Sequence, residues 1–308
     1  MNRAHPIRAL PWLSLLLVAL PAVAQQPPPP EDSYRYRVQV GLVIVAASVT
    51  TPDGRPVTDL NQEAFQVYED GLLRPLKVFE RKTGQPLQLV LMVDASLSTA
   101  SELEREKLAI TRFIQRVLRP QDAAALYEFS GGARARVDFS NDAKKLDAGL
   151  ALIKPRAGTA LYDTVVEAAA KLKEREGRRV LVLVTDGTDT TSDETYQDAL
   201  RAAQEAEATI FALIIRPIPG ESGRSVRGEH VLINFAEMTG GRTFFPARAA
   251  DIDRFFDELS ELLRTQYLLG YEPAPPEWRA RLRVIEVRVQ GADFVVRHRK
   301  GYYAEARP

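Results

Sequence analysis

Leu87-Gln-Leu-Val-Leu-Met-Val-Asp-Ala-Ser-Leu-Ser98 decides the fold of this 308-residue chain. The first seven residues are apolar with a single exception and do not alternate, as a strand covered on both faces requires. The chemistry then turns polar at once, with Asp94, Ser96 and Ser98. The same change recurs at Val180-Leu-Val-Leu-Val184, which runs into Thr185-Asp-Gly-Thr-Asp189. Helical spacing links these strands. Glu102–Leu118 sets Leu103, Leu108, Ile110, Phe113, Ile114, Val117 and Leu118 roughly on one side, and Ala160–Lys173, Thr195–Glu207 and the amphipathic Asp251–Arg264 follow. Ala123–Phe129 and Thr209–Ile215 read as further strands. Alternating strands and helices of this kind imply a doubly wound, mostly parallel α/β sheet over residues 86–265.

On either side of this block the pattern changes to strands alone. In residues 34–83, Tyr34–Val40 alternates in period two and Val43–Val49 continues as a buried strand. Pro52-Asp-Gly-Arg-Pro56 and Asp70-Gly71 are turn chemistry. In residues 266–303, Gln266–Tyr271, Ile285–Val289 and Phe294–His298 are strands separated by Pro273–Pro276 and Gln290–Asp293. Neither flank has enough strands for a core of its own. They are expected to complete each other as a small β-sandwich, with the α/β block inserted between them and tethered at both ends.

The N-terminus reads as an address. Arg3 and Arg8 precede the apolar run Leu10–Leu20, which is broken by Pro11, and Ala22-Val-Ala24 closes it. A basic start, a short greasy stretch and a small-x-small end make residues 1–24 a signal peptide for export to the periplasm or beyond the cell. The alternative, retention as an anchor, asks a run shorter than about 20 residues to span a bilayer. Cleavage would remove two arginines and no acid, leaving a net charge of −2. Residues 25–33, with Pro27–Pro30, form a stiff leader.

Composition excludes much chemistry. There is no cysteine, so disulfides, thiolate nucleophiles and Cys-ligated metals are absent. Three histidines leave little for His-rich sites, and a formal net charge of zero lacks the basic excess of nucleic-acid binders.

In an open α/β sheet, ligands bind outside the carboxyl ends of the strands. Three groups of oxygen donors are expected on that edge: Asp94, Ser96 and Ser98; Thr159 after Gly158; and Asp186. Two carboxylates and three hydroxyls, without nitrogen or sulfur, are a hard-oxygen set suited to Mg²⁺, with Ca²⁺ or Mn²⁺ as alternatives. Each group also has a plain structural reading. Thr99-Ala-Ser-Glu102 is a capping box, Thr159 an N-cap and Asp186-Gly187 a turn. Their occurrence in order after two apolar strands favours the metal.

On these motifs, residues 86–265 resemble a von Willebrand factor type A domain, with Asp94-Ala-Ser-Leu-Ser98 matching its D-x-S-x-S metal-ion-dependent adhesion site. Thr159 and Asp186 match the threonine and aspartate of its second and third loops. Tyr68-Glu-Asp-Gly71, Thr239–Phe245, Gln266–Tyr271 and Gly301-Tyr-Tyr303 resemble an exported bacterial subgroup labelled von Willebrand factor A-related. The resemblance implies binding rather than turnover. Ser96, Ser98 and Thr159 would touch the ion directly, Asp94 and Asp186 often through water, and a protein partner would offer a carboxylate to the vacant position. It also implies that the helix Asp251–Arg264 can shift and couple the site to the strand at Gln266–Tyr271.

Rival readings are a metal-assisted hydrolase and a structural envelope module whose metal only rigidifies loops. The chain lacks a P-loop, a dinucleotide fingerprint, a nucleophile elbow and H-E-x-x-H. His230 and His298 both read as surface residues. Arg279, Arg281, Arg283, Arg288, Arg297, Arg299 and Lys300 read as outward faces of strands. The stretch Arg216–Glu229, rich in Gly and Pro, reads as a long loop on the metal edge, with Arg216, Glu221, Arg224 and Arg227 as partner-binding residues.

Overall fold

The fold is described from a computed structural model, over residues 41–81, 84–215, 225–246, 250–275, 281–291 and 293–304. The central sheet has six strands: β5 (Leu87–Asp94), β6 (Ala123–Phe129), β7 (Ala133–Ser140), β8 (Arg178–Thr185), β9 (Thr209–Ile214) and β10 (Thr243–Phe244). Their order is β10-β9-β8-β5-β6-β7, all parallel except the edge strand β7. Six helices cover the two faces: α1 (Leu103–Val117), α2 (Ala143–Ala151), α3 (Leu161–Lys173), α4 (Tyr196–Glu205), α5 (Val226–Thr239) and α6 (Ala250–Thr265).

The unbroken apolar runs follow from this double cover. Leu89, Leu91 and Val93 of β5, with Val180, Val182 and Val184 of β8, face a core closed by α1, α2 and α6. Val90, Met92, Leu181 and Leu183 face a second core closed by α3, α4 and α5. Each such side chain contributes about 1.5–3 kcal/mol on burial, so the middle of each strand, Leu89–Val93 and Val180–Val184, is apolar throughout. Leu108, grouped by spacing with the buried side of α1, instead faces solvent. It stands five residues beyond Leu103, away from the stripe that meets α6 through Phe113 and Phe256 (ring centroids 4.8 Å apart).

Eight further strands make two antiparallel sheets around a third core. They are β1 (Val43–Thr50), β2 (Phe65–Glu69), β3 (Leu72–Arg74), β4 (Leu76–Arg81), β11 (Tyr267–Tyr271), β12 (Arg281–Val289), β13 (Val295–Arg297) and β14 (Gly301–Ala304). The orders β13-β1-β11-β4 and β14-β12-β2-β3 interleave strands from the two ends of the chain. The α/β block leaves after β4 and returns at β11, and these two strands are hydrogen-bonded neighbours. Val45, Val67, Tyr267, Leu269 and Ile285 fill the core between the sheets.

Several expectations are corrected. Val226–Glu229 is the first turn of α5 and not loop, with Ser225 Oγ accepting from Gly228 N at 3.0 Å as its cap. Strand β7 and helices α2 and α5 have no counterpart in the sequence reading. His298 and Arg283 do not face solvent. His298 is buried, its Nε2 accepting from Val287 N (3.1 Å) and its Nδ1 beside Arg299 O (2.8 Å), and burial pushes its pKa down to about 4. Arg283 is 1% exposed and donates to Glu69 Oε1 at 2.8 Å. Residues 1–33, Tyr34–Val40, Arg279 and Arg216–Arg224 lie outside the described residues. Among the described residues no helix is long and apolar enough to cross a membrane.

Candidate metal centre

Chain order makes β5 the pivot of the central sheet: the next strand, β6, lies on one side of it and β8 on the other. The carboxyl ends of β5 and β8 therefore flank the point where the winding reverses, which is where such sheets open a crevice. Asp94 ends β5, and Asp186 directly follows β8.

Four of the five expected donors are joined by hydrogen bonds. Ser98 Oγ donates to Asp186 Oδ2 at 2.8 Å and lies 2.9 Å from Ser96 Oγ. Asp94 Oδ1 accepts from Ser96 N at 2.8 Å, and Asp94 Oδ2 accepts from Thr185 Oγ1 at 2.5 Å. Asp186 Oδ1 accepts from Thr188 N at 2.8 Å. Asp94, Ser96 and Asp186 are buried while Ser98 is exposed, so the group opens to solvent on the hydroxyl side. At its mouth Leu97 is 65% exposed.

Thr159 belongs to the neighbouring loop. Arg156 N donates to Ala95 O (2.7 Å) and Ala160 N to Ser130 O (2.6 Å), binding that loop to those after β5 and β6. Thr159 N donates to Thr190 Oγ1 (2.9 Å), and its carbonyl accepts from Thr190 N (2.8 Å), which ties it to the Asp186 loop. Gly158 makes the approach possible. Its φ is +85°, and a Cβ there would lie 2.8 Å from Gly131 Cα.

Of the three plain structural readings, the two helix caps fail and the turn holds. The cap position of α3 is Ala160, and its first N–H groups are served by Asp189 Oδ1 (2.8 Å from Leu161 N) and Ser192 Oγ (3.1 Å from Tyr162 N). The Thr159 hydroxyl takes no part in that cap. Thr99 does not cap α1 either; Thr99 Oγ1 donates to Asp94 O (3.0 Å) and Ser96 O (3.2 Å), holding the loop in shape. Gly187 (φ +78°) does turn the chain, yet its lack of a side chain serves packing: a Cβ there would lie 2.4 Å from Gly228 O. That contact brings the first turn of α5, with exposed Arg227, against the Asp186 loop. Arg216, Glu221 and Arg224 lie outside the described residues.

Sequence reasoning passed over two residues at this site. Thr185 reads only as the residue that opens Thr185–Asp189, with no role of its own, but its hydroxyl orients Asp94 and accepts from Gly187 N (3.0 Å). Glu106 is not singled out by the sequence, where the helix Glu102–Leu118 is marked only by its apolar residues. It is fully buried in α1, and neither carboxyl oxygen has a hydrogen-bond partner. Burial, then the nearby charge of Asp94, holds its pKa well above the usual carboxylate range. Asp94 is itself pushed up to about 6 by burial, against the opposing hydrogen bonds from Thr185 and Ser96. No Lys or Arg among the described residues forms an ion pair with Asp94, Asp186 or Glu106.

Residues 89–188 match the family model for the von Willebrand factor type A domain. The chain contains a von Willebrand factor type A domain. A solved von Willebrand factor type A protein from Catenulispora acidiphila is similar in fold (TM-score 0.50, 13% identity), covering 79% of this chain and 72% of that one. The conserved hypothetical protein BatB from Bacteroides thetaiotaomicron gives 0.47 at 20% identity, covering 58% of this chain and 100% of the other. The vWF domain of the type V pili tip protein Mfa5 from Porphyromonas gingivalis gives 0.46 at 13%, covering 58% and 95%. A search of the curated proteins finds no match.

The residues of this type A domain suit a hard cation. No group of three or more His, Cys, Asp or Glu side chains among the described residues is arranged as a metal site. The donor set here is of another kind, with two carboxylates supplemented by hydroxyls. Glu106, the buried carboxyl behind Asp94, brings no basic partner to this edge, so Asp94 and Asp186 are buried acids of one sign, and buried charge of one sign calls for a counter-ion.

Proposed function

We propose that the chain is an exported, divalent-cation-dependent protein-binding module that works in adhesion or assembly and is not an enzyme. Asp94, Ser96, Ser98, Thr159 and Asp186 would hold Mg²⁺, or Ca²⁺ or Mn²⁺ in its place. A bound cation supplies a Lewis-acidic position that an incoming carboxylate can fill. The chain's own residues prepare that position. Thr185 and the Ser96 backbone fix Asp94, Thr188 N fixes Asp186, and the exposed Ser98 hydroxyl is the side from which a partner approaches. Leu97 and Arg227 give the rim an apolar and a basic contact beside the ion.

The observation that carries this reading is the pair of buried, oriented carboxylates with no ion-pair partner among the described residues. Binding fits better than hydrolysis in that the buried histidine is no free base: both ring nitrogens of His298 meet backbone groups of the sandwich. Residues 1–24 supply the reading of export.

The test is capture of exported proteins on immobilised native chain in Mg²⁺ and in chelator, beside an Asp94→Ala/Ser96→Ala variant. The proposal expects a partner held only by the native chain and only with the cation. A partner held equally in chelator and by the variant would favour a structural module.

A further inference from the structure

At the amino ends of β8 and β9, on the order of 20 Å from the metal edge along the strands, the α/β block meets the sandwich around a cavity. Its volume is about 200 Å³, and its walls include Arg178, Arg179, Glu207, Gln266 and Arg299. The charged residues of the wall are three guanidinium groups and one carboxylate, an excess of two positive charges.

The carboxylate does not serve all three arginines. Glu207 pairs with Arg299 (2.7 Å) and, more loosely, with Arg179 (3.8 Å). Arg299 also donates to Ile44 O (2.8 Å), and Arg179 to Arg175 O (2.8 Å) and Ala206 O (3.0 Å). Arg178 is left without an ion pair among the described residues. Its guanidinium meets one acceptor there, the neutral Gln266 Oε1 at 2.9 Å, and its Nε is shut off from water with no partner. Asp122, the acid whose field it feels most, is occupied with Leu87 N (2.8 Å) and Arg119 N (2.9 Å). Burial pushes the Arg178 pKa down to about 10, the direction expected for a cation short of a counter-charge. Arg299 Nε is likewise enclosed without an acceptor.

Glu207 is also one of two non-glycine residues among those described with positive φ (+52°). A residue held there is strained unless its surroundings require it. The conformation belongs to the carboxylate that joins Arg179 and Arg299 across this cavity.

We infer that this cavity binds a small oxyanion of phosphate or dicarboxylate size, with Arg178 as its principal ligand and Arg299 and Gln266 beside it. Planar guanidinium groups match the paired oxygens of either anion. The volume is below the roughly 300–1,000 Å³ of sites for drug-sized molecules, which limits the ligand to a few heavy atoms. Arg178 starts β8 and Gln266 connects α6 to β11, so a bound anion would brace the junction between the two parts of the fold.

The experiment is isothermal titration of inorganic phosphate, and separately of malonate, into the full chain. It is run in chelator, so that the metal edge is silent, and at constant ionic strength set with chloride. We expect saturable binding of one anion per chain, weakened about tenfold or more by Arg178→Gln and unchanged by Arg254→Gln on the exposed side of α6. Tighter phosphate would identify a phosphate-class ligand, and tighter malonate a carboxylate. No saturable binding of either probe at tens of millimolar, or equal weakening by both substitutions, would overturn the inference. If Arg178→Gln loses its fold by circular dichroism, Arg178→Lys keeps the charge and loses the fork; it must weaken binding severalfold, and unchanged affinity would overturn the inference.

Discussion

Glu69 in the sandwich and Glu106 in α1 are both 0% exposed, yet their surroundings are opposite. Glu69 Oε1 accepts from Arg283 at 2.8 Å and from Ala274 N at 2.8 Å, and Oε2 accepts from Tyr302 Oη at 3.0 Å. Arg283 also donates to Ala274 O (2.8 Å) and Pro275 O (2.6 Å), while its Nε has no partner among the described residues. Glu106 has no partner, and its near neighbours in charge are the acids Asp94 and Glu102. A carboxylate buried for structure brings its counter-ion in the chain. Among the described residues those at the β5–β8 edge do not, and on the proposed function a bound cation would make up that deficit.

Matched substitutions would break or sharpen this contrast. The largest effect is expected from Glu69→Gln, which leaves the Arg283 charge buried and uncompensated. Breaking a buried pair in this way costs about 3–5 kcal/mol, and chemical denaturation in chelator would measure it. The next concerns the metal edge as a whole. Mg²⁺ at a hundredfold excess over its dissociation constant should raise stability by about 2.7 kcal/mol. The same thermal or denaturant series on Asp94→Ala/Ser96→Ala should show no gain.

The sandwich should also respond to acid through His298. Its folded-state pKa is depressed to about 4 from an ordinary 6.5, so the unfolded chain takes up a proton that the folded chain refuses. The stability involved is present well above pH 6.5 and is lost as pH falls toward 4, by about 3 kcal/mol over that window. A His298→Gln variant, compared with the native chain across the same range, should lack this component. The smallest effect is expected from Glu106→Gln. Because the raised pKa keeps this group largely neutral, the amide should change stability in chelator by less than about 1 kcal/mol. A loss as large as that of Glu69→Gln would mean that Glu106 has a partner after all, and the contrast would fail.

How much of this was legible in the sequence depends on whether local pattern and final environment agree. Asp94, Ser96, Ser98 and Asp186 stand out because two apolar strands end abruptly in oxygen donors, and strand ends are where such sheets bind. The α/β class is legible for the same reason. Glu106 is hidden by its neighbours: it sits in the charged run Glu102-Leu-Glu-Arg-Glu-Lys107, and only the packing of α1 encloses it. Arg283 is hidden by composition but not by phase. Counting back by two from the buried Val287 and Ile285 reaches Arg283, while Val284 faces solvent. The phase of β12 carried the signal, and the charge of the arginine obscured it. Helix α5 opens on Val226-Arg-Gly-Glu, which reads as loop because of Gly228, whose missing side chain lets the helix approach Gly187. That requirement belongs to tertiary structure and leaves no periodic trace.

Whether Asp94, Ser96, Ser98, Thr159 and Asp186 hold a divalent cation is read by calorimetry of Mg²⁺ and of Ca²⁺ on the full chain. One cation is expected per native chain, and none on a folded Asp94→Ala/Ser96→Ala variant. A native chain that takes up neither ion, or a variant that binds as well as the native chain, would contradict that expectation.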